Sequence, residues 1–356
     1  MKTRLLGLAT ALVILGVAIS ARPPQTAAQA GASAASGPLK DLYDAARKEG
    51  TVVLWGPPTD TVDKHYVQEF QRAFPGVTVK AVGDANTPQK LLTEALAGRR
   101  EADVVWWPIG GLLPLAQRDL LARLETEALA AAGVGADDVT LDGRALKVAN
   151  VIYTVEYDTR RLKREDLPRT WEDLLAPRWQ GRIVGATLLV PGVPATIGIL
   201  KGEAAALTFA RSLRDTAKVT MVPSSAVARE MLHRGEKDLV ISLVTEVLKR
   251  KHQYREPVDW APISPTYSTQ HVVAVLARGP HPRAARLFAL WAASAEGRVA
   301  MEKASFDADA RPGAPTELAK TVREARLELV IEDAQNAGPR AALYRKAREI
   351  LLGETR

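Results

Sequence analysis

Along the chain, two periodicities take turns. "PLKDLYDAARKEG" (38–50) places apolar side chains at helical spacing and closes on Gly50, a natural helix stop. "TVVLW" (51–55) then reads as a short strand bounded by Gly-Pro-Pro. The exchange repeats with a helical pattern over 59–74, a strand "VTVKAV" (77–82), a helix "TPQKLLTEALAG" (87–98) and a strand "ADVVWW" (102–107). Strands alternating with helices predict βαβ units and a mostly parallel sheet, in which ligands sit beyond the carboxyl ends of the strands. Three such ends are nominated: Gly56–Asp60, Gly83–Asn86 and Trp106–Gly111.

At "LKVANVIYTVEYDT" (146–159) the texture changes to a long β-rich run with no helix inside it, read as a crossing into a second lobe. Thr170 and Asp173 then form a capping box, and Pro177 ends that short helix. Strands are expected at "IVGAT" (183–187), "KVTMV" (218–222) and "DLVISLV" (238–244). Helices are expected at "GEAAALTFARSLRDT" (202–216) and "AVAREMLHRG" (226–235), the latter capped by Ser224 or Ser225. "STQHVVAVLA" (268–277) carries the chain back, and the helix "HPRAARLFALWAAS" (281–294) follows. The last forty residues read as helical, with "PRAALYRKAREILL" (339–352) amphipathic. Two α/β lobes joined by extended crossings make a hinged ligand trap.

The first thirty residues follow another rule. Lys2 and Arg4 precede an apolar run, Leu5–Ile19, and Ala28-Gln29-Ala30 follows it, the layout of a secretory signal peptide cut near Ala30. The apolar run falls short of the roughly 20 residues that a membrane span needs. Residues 31–37, "GASAASG", are a flexible tether. With no cysteine in 356 residues, disulfides, thiolate ligands and a lipid-bearing cysteine are excluded, so a soluble periplasmic product without a lipid anchor is expected.

Composition changes the picture little. At 47% hydrophobic and 25% charged the chain is globular, and its length suits two lobes. The net charge of +7 falls to +4 once Lys2, Arg4 and Arg22 leave with the acid-free leader. No dense Lys/Arg run exists, so nucleic acid is not an expected partner. Nor is there a Gly-x-Ser-x-Gly elbow or a His-Glu-x-x-His pair, which leaves a secreted hydrolase without a motif.

A set of segments, in order, resembles the bacterial extracellular solute-binding proteins of ABC importers, in particular the subgroup that contains the ferric-iron binders. They are "AARKEGTVVLW", "FQRAFPGVTV", "LLTEALAGRREADVV", "YDTRRLKREDLPRTWEDLLAPRWQGRI", "LHRGEKDLVIS" and "GPHPRAARLFALWAASAEG". The Leu-Pro-x-x-Trp-x-Asp-Leu-Leu…Pro-x-Trp-x-Gly core (167–181) and His-Pro-x-Ala-Ala (281–285) are the more specific pieces. The resemblance implies a two-lobed type II periplasmic-binding-protein fold: an α/β fold, each lobe a mixed, mostly parallel sheet flanked by helices and hinged by crossing strands. It also implies capture of a solute and delivery to a membrane permease; it does not imply catalysis, and neither an enzyme nor a cofactor is expected. The lobes would be 38–148 with 265–312, and 149–264, with 313–356 packing on both as C-terminal helices; a monomer is expected. Iron-binding relatives carry two adjacent tyrosines, whereas Tyr43, Tyr66, Tyr153, Tyr157, Tyr254, Tyr267 and Tyr344 are all separated here. An organic anion is therefore preferred to ferric iron, which stands as the alternative together with a sensory binding module.

Candidate ligand residues come from the strand ends and crossings. Trp106 and Trp107 must point to opposite faces, so one enters the core and the other is free to wall a cleft or to pack on a helix. Gly110 and Gly111 open the next helix, where backbone N–H groups can meet an anion. Thr59 and Asp60 follow the first strand as caps or ligand contacts. Ser224, Ser225 and Arg229 compose an anion clamp or an ordinary cap with a surface arginine. Thr187 and Thr196 offer hydroxyls within "ATLLVPGVPATIG" (186–198), while Thr245 and Glu246 end a strand where Glu246 can meet an amine or begin a helix. Tyr153 and Tyr267 stand on the two crossings, as hinge lining or as packing. Trp171 and Trp179 are read as packing residues.

Overall fold

The computed structural model describes residues 38–56, 64–84 and 86–353. Thr59 and Asp60 lie outside them. Among the described residues eleven strands form the scaffold, running β2-β1-β3-β10-β5-β8-β6-β7, with β11 on β10 and both β4 and β9 on β5. They are β1 (Thr51–Gly56), β2 (Thr78–Gly83), β3 (Val104–Pro108), β4 (Val139–Thr140), β5 (Ala145–Asp158), β6 (Ile183–Ala186), β7 (Thr220–Val222), β8 (Leu239–Leu243), β9 (Val258–Ala261), β10 (Thr266–Val275) and β11 (Leu329–Ile331).

Two long strands join the lobes. β5 has 14 residues, of which Leu146–Ile152 pair with β10 and Tyr153–Tyr157 with β8. β10 pairs with β3 through His271–Val275 and with β11 through Thr266–Ser268. β1, β2 and β3 are parallel to one another, as are β6, β7 and β8. Because β10 runs against β3 and β5 against β8, the carboxyl ends of both parallel sets arrive where β5 and β10 cross.

Burial follows from the alternation. In the first lobe Trp106, Tyr66, Phe70, Phe288 and Trp291 pack on one face of the sheet, with the Tyr66 and Trp106 rings 5.6 Å apart and at 87°. That edge-to-face geometry suits the ring quadrupoles, and each such side chain contributes roughly 1.5–3 kcal/mol by leaving water. The other face holds Val105, Ile109, Leu112 and Leu91. In the second lobe, Trp171, Trp179, Phe209 and Leu213 share a core with Ile183 and Ile241.

Two elements depart from the sequence reading. The last forty residues are not purely helical, since Leu329–Ile331 forms β11, a three-residue strand too short to show a period of two. "GVPATIGILK" (192–201) is a helix despite its glycines and proline, which are poor helix formers. Pro194 falls in its first turn, where its missing N–H costs nothing. Gly198 lets Leu343 of the helix Ala337–Leu352 approach: a Cβ there would lie 2.6 Å from Leu343 Cδ1. Packing decides this segment against propensity.

Candidate functional site

The geometry centres on the crossing of β5 and β10. Tyr153 and Tyr267, one on each strand, are buried there, and the Arg340 guanidinium lies over both rings, 5.2 Å from the first centroid and 4.2 Å from the second. The Tyr267 hydroxyl donates to Asn336 Oδ1 at 2.8 Å, and burial holds its phenol well above the ordinary range. Glu332, just beyond β11, accepts the Gln270 N–H on Oε2 at 3.1 Å. Burial pushes its carboxyl up to about 7, while the Arg340 charge and the Gln270 N–H hold it down.

Both lobes bring a helix start to this place. Helix Ile109–Ala116 follows β3, and its Gly110 would set a Cβ 3.3 Å from Glu332 Oε1. Helix Gly192–Lys201 follows β6, and a Cβ on Gly192 would lie 2.5 Å from the Tyr153 hydroxyl oxygen. Glycine is required at 192, whereas at 110 a Cβ would make a tight contact. The helix Ala337–Leu352 spans the junction, with Ala337 against Gly110 at one end and Tyr344 donating to Leu188 O at 2.9 Å in the second lobe.

The nominated residues scatter around this centre. Trp106 is the core partner of the tryptophan pair; its Nε1–H donates at 3.3 Å to Nδ1 of His271, which burial lowers to about 4 and keeps neutral. Trp107 is half-buried, and its ring covers Gly111, where a Cβ would sit 2.3 Å from Cδ1. The tight approach of Gly111 to that ring makes packing its structural role, and Gly110 is likewise occupied by Glu332 and Ala337. Thr196 is fully buried and donates its hydroxyl to Gly192 O at 2.9 Å within its own helix. Thr187 is half-buried beside β7, its N–H given to Val222 O at 2.9 Å.

Ser224, rather than Ser225, is the cap, accepting the Val227 N–H at 3.3 Å; Ser225 is the first helical residue. Arg229 and Glu246 face one another, Nη1 to Oε2 3.8 Å, so the nominated anion clamp and amine acceptor are each other's partner. Thr245 is buried and hydrogen-bonded with Asp307. The Asp307 carboxyl is pushed up to about 7 by burial, partly offset by Thr245.

Sequence reasoning missed Arg340, Glu332, Asn336 and Asp307. For Arg340 a signal existed: it lies on the stripe Ala337, Leu343, Ala347, Ile350, Leu351, the one charged residue at apolar helical positions. It also missed a buried ion pair in the second lobe, where Arg250 Nη2 meets Glu156 Oε2.

A separate cleft of about 260 Å³ lies at the far end of the first lobe, where Ala102 precedes β3 and Leu276 follows β10. It faces away from the junction. Among the described residues no group of three or more His, Cys, Asp or Glu side chains could hold a metal ion, and no helix is long and apolar enough to cross a membrane.

Similar folds are known. Iron-bound HitA from Pseudomonas aeruginosa is 21% identical with a TM-score of 0.68, over 84% of this chain and 99% of that one. AfuA from Actinobacillus pleuropneumoniae, solved with exogenous fructose-6-phosphate, is 20% identical with a TM-score of 0.70, over 85% and 99%. A substrate-binding protein of an ABC transporter from Agrobacterium tumefaciens is 15% identical with a TM-score of 0.69, over 85% and 94%. These likenesses place the fold among the type II periplasmic binding proteins. No curated protein sequence matches the chain. The family description "bacterial extracellular solute-binding protein" matches residues 55–299, most of the chain. By its sequence as well as its fold, the chain belongs to the family of bacterial extracellular solute-binding proteins.

Proposed function

We propose that this protein is the exported, monomeric solute-binding component of an ABC importer, taking a small organic anion between its lobes and passing it unchanged to a membrane permease. The observation that carries the reading is the junction, where helix starts from both lobes meet between two crossing strands beside a buried arginine. Helix N-termini and a guanidinium all favour negative charge. In this reading residues 38–148 with 265–312 move as one lobe and 149–264 as the other. Closure about β5 and β10 buries the ligand. Residues 1–30 act as the leader that takes the chain to the periplasm.

HitA, one of the structural relatives, was solved bound to iron. Ferric iron fits the junction of the present chain poorly. Tyr153 and Tyr267 do come together in space, but a guanidinium covers both rings and burial disfavours the Tyr267 phenolate that a hard cation needs.

The test is thermal unfolding of the leader-free protein against carboxylates, phosphomonoesters, amino acids, sugars, polyamines and ferric citrate. A ligand at about 100 times its dissociation constant stabilises the fold by roughly 2.7 kcal/mol. A shift confined to anions, with the compound recovered intact, is the expected result. A shift with ferric citrate alone, or turnover of the compound, would overturn it.

A further inference from the structure

Resting on that reading, we propose that Arg340 is the residue that anchors the ligand, receiving a carboxylate or phosphate group side-on along the Nε–Nη2 edge of its guanidinium.

Arg340 is short of partners: its Nε and Nη2 are both buried and have no hydrogen-bond acceptor. Among the described residues no carboxylate lies within ion-pair distance of it, and the side chain is only 8% exposed. The guanidinium is hydrogen-bonded with Tyr153 and feels the Glu332 charge, yet two of its buried donors have no acceptor, a costly arrangement that calls for a partner. A helix that merely packed both lobes together would carry an apolar residue here, as it does at Leu343 and Ala347 one and two turns on.

The geometry then selects the partner. Tyr153 and Tyr267 stack on the cation, which holds its plane without using the Nε and Nη2 donors. Those two nitrogens form one edge of the fork, on the side remote from Cδ. Two parallel N–H donors there match the two oxygens of a carboxylate or phosphate. Asn336 and Glu332, which share the site, are engaged elsewhere: Asn336 Oδ1 with Tyr267, and Glu332 Oε2 with the Gln270 N–H. The glycine starts of helices Ile109–Ala116 and Gly192–Lys201 flank the same place, so both lobes approach an anion bound there. One arginine thus lies where closure can sense the ligand.

The test measures melting temperature and calorimetric affinity of the leader-free protein with inorganic phosphate, phosphomonoesters and short mono- and dicarboxylates. Wild type, Arg340→Lys and Arg340→Met are compared. We expect at least one of these anions to raise the wild-type melting temperature. Arg340→Lys should weaken that anion about tenfold, because the charge stays but the fork is lost, and Arg340→Met a hundredfold or more. Without anions Arg340→Met should melt close to wild type, since the lost Tyr153 contact is offset by the removal of two buried donors without acceptors. An anion that binds all three proteins within twofold would overturn the assignment while leaving anion capture standing. A wild-type protein that responds only to sugars or amines, or to nothing in either panel, would overturn both. An Arg340→Met protein that melts far below wild type without ligand, while Arg340→Lys binds normally, would make the arginine a packing residue and also overturn it.

Discussion

Tyr66 and Tyr267 are both fully buried, and their surroundings differ in kind. Tyr66 sits in an aromatic cluster with Trp106, Phe288 and Trp291, where area and ring geometry settle the energetics. Tyr267 sits under an arginine, beside a carboxyl held near neutrality, at a place where both lobes meet. The first region is dominated by apolar packing, at the cost of leaving the neutral Tyr66 hydroxyl buried without a partner. The second leaves two donors of a buried charged group without an acceptor, a larger cost that pure stability would have removed.

The largest effect should come from the aromatic cluster. Trp106→Ala removes the ring that packs edge-on against Tyr66 and leaves His271 Nδ1 without its donor, so a loss of about 3–5 kcal/mol is expected in urea unfolding. A loss below about 1 kcal/mol would deny the cluster its role.

Next, the junction should register in the pH profile. Glu332 is raised to about 7 by burial, so the folded protein binds its proton more tightly than the unfolded chain does. Its contribution is present below about pH 4.5 and is lost as pH rises towards 7 and beyond, for a total of roughly 3 kcal/mol. Arg340, Asp333, Tyr267 and the Gln270 N–H all act on it. Glu332→Gln should therefore flatten the fall in stability between pH 4.5 and 7 relative to wild type, read as melting temperature against pH. Parallel profiles for the two proteins would show that the carboxyl is not strained.

Smallest is Gly192→Ala, which drives a methyl into the buried Tyr153 hydroxyl and should cost about 1–3 kcal/mol. If the comparison holds, it also weakens ligand binding, whereas Trp106→Ala at a temperature where it stays folded does not. Equal losses of affinity would erase the distinction between the two regions.

Much of the fold was legible because it rests on periodicity. The β-rich run 146–159 became β5, the return at 268–277 became β10, and one tryptophan of the 106/107 pair entered the core, alternation leaving open that it is Trp106. Tyr153 and Tyr267 were singled out on the crossings and do meet there. Contacts between distant segments leave no such trace. Nothing in "SAVAREM" announces that Arg229 faces Glu246, and nothing near Tyr267 announces Asn336, 69 residues away. Arg340 was readable only as a fault in an apolar stripe, a signal that matters once the neighbouring surface is known.

The position of that arginine after all of the described strands has a consequence for biogenesis. β11 and the helix Ala337–Leu352 supply Glu332, Asn336 and Arg340, and they follow every other described strand in order of synthesis. Domains fold as the chain emerges, amino terminus first. Strands β1–β10 can therefore pair while the junction still lacks its cation. If the arginine holds the solute as proposed, pairing of the sheets and competence to bind are thus separable steps.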